Sequence, residues 1–245
     1  MRLRRQARTR GFPPSGNGAS SFHLGWRLPP TAGHLVGAGV TLEVTHPPVD
    51  NHLYFWALQV DFPGAGGAHL GLQWNRAFPG FGAVNWGGYA LDGTLLSGTE
   101  SPLPSTPADP NTRDYRWQPE RPYRLHVLRA GEDLWRGAVT DVATNETAVV
   151  RDLHAASTFL AGPMVWSEVF ARCDDATVTV RWSDFAVENE RGDRITPNAL
   201  AVNYQAHADG GCANTTSVLD GRGGLLQVTN SERTTPQGTA LLLTT

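Results

Sequence analysis

Lysine is absent from this 245-residue chain, and all twenty of its basic side chains are arginine. The arginines are scattered along the chain apart from five in the opening "MRLRRQARTR". The bias therefore reads as codon usage in a GC-rich genome rather than as a guanidinium site. Charge of either sign is also sparse: charged residues make up 18% and the formal net charge is −3. No global field exists to gather nucleic acid or an anionic membrane surface. No apolar run reaches the roughly 18 residues a membrane-spanning helix needs, which excludes a helical span. Cysteine is reduced to Cys173 and Cys212, with no CxxC and no histidines at zinc-finger spacing, so a structural zinc site is excluded. The two thiols either form one disulfide, if the protein is exported, or stay buried and reduced. Pairing would tether Cys212, which lies in a Gly-rich tail poor in core residues. Catalytic strings are missing as well. No GxSxG, HExxH, P-loop or GxGxxG occurs in a suitable context, and neither does the Glu-x-Asp-x-x-Glu that would set two carboxyls on one strand face for sugar hydrolysis.

What the chain does contain is turn residues and aromatics: 27 Gly, 17 Pro and eight Trp. That mixture suits many short strands rather than long helices. The strongest signal is "HLYFWALQVDFPGAGGAHLGLQWN", residues 52–75. Tyr54, Trp56, Leu58, Val60 and Phe62 alternate on one face, and Ala68, Leu70, Leu72 and Trp74 resume it after the Pro-Gly break. Pairing Val60 with Leu70 and Trp56 with Trp74, across a five-residue loop, predicts a hairpin whose apolar faces coincide. Further strands are predicted at "VTLEVTH" (40–46), "GAVNWGGYAL" (82–91), "YRLHVLRAG" (123–131), "EDLWRGAVTDV" (132–142) and "ATVTVRWSDFAV" (176–187). Residues 148–161 approach a 3.6 period and form the one helix candidate. Residues 100–122, with six prolines, read as a long loop. No βαβ spacing occurs, so the fold class is all-β, an antiparallel two-sheet sandwich. The domain reading is a disordered basic leader over 1–20, a sandwich over 21–187, and an extension over 188–245 that packs on or completes it. The basic leader is followed by "GFPPSGNGASS" with no apolar segment, so the chain as written reads as cytoplasmic, and as secreted if its start is misassigned.

Several strings occur in an order that resembles a bacterial family of concanavalin-A-like (lectin/glucanase-type) jelly-roll domains of unknown function. They are "HLYFWALQVDF", "AHLGLQ", "GAVNW", "YRLHV", "WRGAVTD" and "WSEVFARC", spanning roughly residues 40–185. The resemblance implies a jelly-roll sandwich with a sugar- or surface-binding role, and it carries no established catalytic residues.

The face opposite the apolar row holds Phe55, Ala57, Gln59 and Asp61, then His69, Gly71, Gln73 and Asn75, with Asn85 and Trp86 from the following strand. Carboxamides both donate and accept, which matches the hydroxyls of a glycan or small polyol. The expected ligand-binding set is therefore Gln59, Asp61, His69, Gln73, Asn75, Asn85 and Trp86, with a glycan or polyol as partner. The alternative is an enzyme of the same fold: a glycan hydrolase or lyase, or a cyclase acting on a small biosynthetic intermediate. Asp61 opposite His69 would form an acid/base dyad or a plain cross-strand ion pair. Glu168, flanked by Trp166 and Val169, is the best lone acid, since burial there would raise its pKa. Glu188, Glu190 and Asp193 read as charges on a turn. No cofactor is expected, calcium at Asp109, Asn111 and Asp114 being the weakest option because the closing Glu of a calcium loop is missing. Asn145 and Asn214 begin glycosylation sequons by pattern.

Overall fold

The computed structural model describes residues 8–104 and 109–243, and these form two antiparallel sheets packed face to face. In chain order the strands are β1 Ser20–Arg27, β2 Leu35–His46, β3 Tyr54–Phe62, β4 Gly66–Trp74, β5 Gly82–Tyr89, β6 Thr112–Asp114, β7 Pro122–Arg129 and β8 Leu134–Asp141. They continue as β9 Glu146–His154, β10 Ala161–Val169, β11 Thr179–Asn189, β12 Arg194–Ile195, β13 Ala199–Tyr204, β14 Thr216–Leu219, β15 Leu225–Val228 and β16 Ala240–Leu242. The first sheet runs β16-β13-β1-β10-β3-β4-β5-β6 and the second β14-β15-β11-β2-β7-β8-β9, with β12 added to β11. Residues beyond 188 thus extend both sheets. Among the described residues no helix is long and apolar enough to cross a membrane.

Alternation explains the sandwich. Tyr54, Trp56, Leu58, Val60 and Phe62 of β3 face Leu42, Leu125, Val127, Trp135 and Trp182 of the second sheet within one core. Trp56, Trp86, Trp135 and Trp182 are among the largest fully buried side chains, and burying each contributes a few kcal/mol of hydrophobic stabilisation, of order 2–3. Indole N–H groups need partners there. Trp86 donates to the Trp135 carbonyl at 3.1 Å, and Trp182 donates to the Gln227 side chain at 2.9 Å. Gly137 of β8 makes room for the Trp86 ring, since a Cβ there would lie 2.5 Å from Trp86 Cγ.

The hairpin forms with its predicted faces but a different register. Val60 pairs with Ala68, Leu58 with Leu70 and Trp56 with Leu72. Gly66 and Gly67 belong to β4, and the loop shortens to Pro63–Ala65, closed by Ala65 N–H donating to the Phe62 carbonyl at 2.8 Å. A shift of two residues preserves which face each side chain occupies, so hydrophobic patterning alone is indifferent to it. Gly71 accords with this register: it lies opposite Ala57 of β3, where a Cβ would sit 2.1 Å from the Trp56 carbonyl oxygen.

Three expectations are corrected. Residues 146–154 form β9 rather than helix, paired throughout with β8. A register shift at Gly137/Ala138 leaves Val150 as an extra residue, and a bulge of this kind breaks the two-residue period into spacings that imitate a helix. Within residues 100–122 a short strand, β6, adds to the first sheet. The leader is not disordered over residues 8–19. Gly11 N–H donates to Asp174, its carbonyl accepts from Cys173 N–H, the Thr9 hydroxyl accepts from Ala213 N–H, and Ala19 is buried. Residues 1–7 of the expected leader lie outside the described residues.

Candidate functional site

The outward face of the first sheet is organised in rows that cross the strands. One row reads Asn203, His23, Trp166, Ala57, Gly71, Asn85, Thr112, and a neighbouring row reads Ser21, Glu168, Phe55, Gln73, Ala83, Asp114. Between β3, β4 and β10 the face has an aromatic floor. Phe55 meets Trp166 edge to face at 4.9 Å and His69 at 5.4 Å, and His69 meets Trp166 at 5.6 Å. Ala57 is fully buried beneath them. Gly71 brings β4 against Ala57, because a Cβ there would lie 2.1 Å from the Trp56 carbonyl oxygen.

The predicted ligand-binding residues divide on this face. Gln59 lies opposite His69 and accepts the Trp166 indole N–H at 3.0 Å. The Gln73 carbonyl oxygen accepts from the Asn75 amide at 3.0 Å, and Asn85 donates to the Thr112 hydroxyl at 2.8 Å. Each of these carboxamides is thus engaged at one end at least, while Asn85 Oδ1 is buried without a partner. Trp86 does not belong to the set: it is fully buried in the core, because its strand parity places it on the inner face with Val84.

Asp61 lies opposite Gly67 rather than His69, so neither the dyad nor the ion pair forms. Asp61 is exposed, and partial burial still raises its pKa despite a hydrogen bond with Gln59. His69 is a neutral imidazole, because burial lowers its pKa to about 4. A histidine neutral when folded and protonatable at about 6.5 when unfolded stabilises the protein fully above pH 6.5 and progressively less as pH falls toward 4. His23 and His126 are lowered by burial in the same direction. Urea midpoints measured between pH 7 and pH 4.5 should fall with pH, and His69→Gln should flatten that slope by up to about 3 kcal/mol; an unchanged slope would remove the assignment.

Glu168 sits at the far edge of the aromatic floor, half-buried between Phe55 and Ser21. Burial raises its pKa, and hydrogen bonds from the Asn17 amide, at 3.1 Å, and from Ser21 offset part of the rise. Asn17 is held in place by the segment preceding β1, where its side-chain oxygen accepts from Ala19 N–H. Next to Glu168 a groove of about 460 Å³ opens, lined by Ser21, His23, Asn203, Gln205, Asp209 and Gln237. His23 Nδ1 is buried there without a partner.

The remaining candidates are accounted for locally. Asp109 accepts from Asn111 N–H and from the Thr112 hydroxyl, and Asn111 Oδ1 accepts from Arg151. With Arg113 donating to the Asp109 carbonyl, two guanidiniums crowd the loop, a poor setting for calcium. Glu190 lies 3.7 Å from His34 and Asp193 3.1 Å from Arg191, on a turn where Gly192 has φ 81. Asn145 stands on an exposed turn, whereas Asn214 is buried and donates to the Cys173 carbonyl, which removes it as a glycosylation acceptor. Cys173 and Cys212 form a disulfide.

Trp166 and the Ser21/His23 edge escape a reading of the sequence that assigns aromatics to the core. The parity of "MVWSEV" carries the missing signal. Val165 and Val169 enter the core, so Met164, Trp166 and Glu168 must point outward.

No protein-family model and no curated protein matches the sequence. Among solved structures, scytalido-glutamic peptidase with a peptide-based transition-state analogue is similar at a TM-score of 0.51 and 7% identity, over 85% of this chain and 97% of that one. SCP-B, a member of the eqolisin family of peptidases in complex with the tripeptide Ala-Ile-His, is similar at 0.49 and 7% identity, over 86% and 98%. At such identities the likeness establishes a shared β-sandwich fold.

Proposed function

We propose that the outward face of the first sheet binds an extended polypeptide and hydrolyses it, with Glu168 as the general base and acid. The observation that carries this reading is the placement of Glu168. It is a carboxyl group with a raised pKa, held by Asn17 and Ser21 between an aromatic floor and an open groove. A raised pKa moves a carboxylate toward the range where it both takes a proton from attacking water and returns it to the departing amine. The Ser21 hydroxyl and the Asn17 amide are donors next to that position and would meet charge developing on the carbonyl oxygen. Phe55, Trp166 and His69 offer apolar contact to alternate side chains of an extended segment. The structurally similar scytalido-glutamic peptidase carries a peptide-based transition-state analogue, which agrees with a peptide ligand.

A glycan ligand fits less well. Gln59, Gln73 and Asn85 already spend hydrogen bonds on Trp166, Asn75 and Thr112, and freeing them for hydroxyls would forfeit those contacts. Incubation with unstructured peptides between pH 3 and pH 7, in water enriched in oxygen-18, tests the proposal. New C-termini should each carry one labelled oxygen. Intact peptides, with saturable glycan binding that Gln59→Ala and Gln73→Ala abolish, would overturn it.

A further inference from the structure

The outward face of the second sheet carries a separate pocket of about 350 Å³, formed by β2, β7, β11 and β12. Its floor is glycine. The three outward side chains of β7, Arg124, His126 and Leu128, fold down onto β2 opposite Thr41, Gly39 and Gly37. A Cβ on Gly39 would lie 2.6 Å from His126 and 2.8 Å from the Arg124 guanidinium, and one on Gly37 would lie 2.9 Å from Leu128. Only glycine lets these side chains lie flat and leave a cavity beside them.

The guanidinium of Arg124 is fixed on one side. Its Nε–H donates to His126 Nε2 at 2.8 Å, and one terminal amine donates to the Asp184 carbonyl, which a φ of 53° at Asp184 turns toward it. Among the described residues its other amine has no hydrogen-bond acceptor, and Arg124 lines the cavity. Arg194, on the opposite wall, stands across from Glu188 in β11. Among the described residues, neither Arg124 nor Arg194 has a carboxylate within 4.0 Å. Elsewhere on the sheets Arg121, Arg136 and Arg181 each hold an aspartate, at 2.7, 2.9 and 2.5 Å. Burial and the neighbouring Arg194 charge bring the Arg124 pKa down to about 10, and the more distant Asp184 carboxylate offsets only part of that fall.

We propose that this pocket binds a monocarboxylate with a short aliphatic body, the carboxylate lying against Arg124 and the body against Leu128. A charged guanidinium N–H makes a short, strong bond to a carboxylate oxygen, and the remaining terminal amine of Arg124 is the donor left for it. Leu128, 37% exposed, supplies the apolar wall. The carboxylates of Glu188 and Asp184 are exposed near the rim, and they repel a doubly charged phosphate more strongly than a singly charged carboxylate. The carboxylate belongs either to a free small acid or to the C-terminus of a peptide.

The test follows the Arg124 Nε–H and Gly39 N–H resonances of the ¹⁵N-labelled full chain during titration. The probes are isobutyrate, isobutyramide, inorganic phosphate, and one short peptide ending in valine as free acid and as amide. Isobutyrate should shift both signals saturably and isobutyramide should not. Arg124→Gln should weaken binding at least tenfold. Arg194→Gln, on the exposed β12, should weaken it severalfold without threatening the fold, and Glu188→Gln should tighten it. Binding of the free-acid peptide assigns the pocket to chain termini, and its failure assigns it to small acids. Equal binding of isobutyramide, tighter binding of phosphate, or indifference to both arginine substitutions would overturn the proposal.

Discussion

Glu168→Gln should reduce peptide hydrolysis by about 10²- to 10⁴-fold while leaving KM nearly unchanged. Glutamine keeps the shape of the side chain and an oxygen to accept from Asn17 at the present 3.1 Å. It cannot exchange a proton with water. The substitution therefore separates chemistry from architecture, which a truncation to alanine would not. Wild-type kcat/KM should rise with pH along an acid limb above the ordinary glutamate value of 4.5, because burial lifts the carboxyl of Glu168. Asn17→Ala should move that limb further up, since it removes a donor that favours the charged form. Trp166→Ala should instead raise KM, by opening the floor that holds the substrate. Stopped-assay rates from pH 3 to pH 7 measure all three. Wild-type turnover by Glu168→Gln would remove Glu168 from the chemistry, whereas no hydrolysis by the unsubstituted protein would leave at most a peptide-binding face.

Removing the disulfide should cost about 4 kcal/mol, the loop-closure entropy of its 39-residue span. For a chain of this size that lowers Tm by roughly 8–16 °C. Cys173 lies between β10 and β11, and Cys212 between β13 and β14, so the bond joins elements of both sheets at one corner. The same corner holds the Asn214 bond to the Cys173 carbonyl and the Ser20 hydroxyl accepting from Cys212 N–H. Scanning calorimetry of the Cys173→Ala/Cys212→Ala double variant checks the figure. A Tm within 2–3 °C of wild type would mean that the surrounding hydrogen bonds already hold the corner, and that the bond is redundant.

Face assignment was legible because side chains in a strand alternate with a period of two. Trp56, Leu58, Leu70 and Trp74 went to the core and Gln59, His69 and Gln73 to the opposite side, as alternation requires. Register was not legible, since a slip of two residues leaves every face unchanged. The register sets Gly71 against Ala57, a close approach between strands that no local pattern reports. The extra residue at Val150 hid β9 for a related reason: periodicity presumes that no bulge intervenes. The aromatic floor was only half visible. Phe55 fell on the correct side by parity, but Trp166 belongs to a strand that includes Gly162, Pro163 and Ser167, so its inward row is marked only by Val165 and Val169. Long-range capture of residues 8–19 had no sequence signal, because its hydrogen bonds join groups 163 and 204 positions apart.

That capture has a consequence for the order in which the molecule is built. β1 pairs with β10 and β13, Ser20 meets Cys212 across 192 positions, and Gln227 accepts from Ser167 and donates to Phe22. A ribosome-bound chain therefore cannot close the first sheet until nearly all of it has emerged. Non-local pairing of this kind makes folding slow. It also means that the groove beside Glu168 is completed last, because Asn203, Gln205, Asp209 and Gln237 follow Asn17, Ser21, Phe55 and Glu168 in the chain. C-terminal truncation should accordingly abolish the site as a unit rather than erode it by degrees.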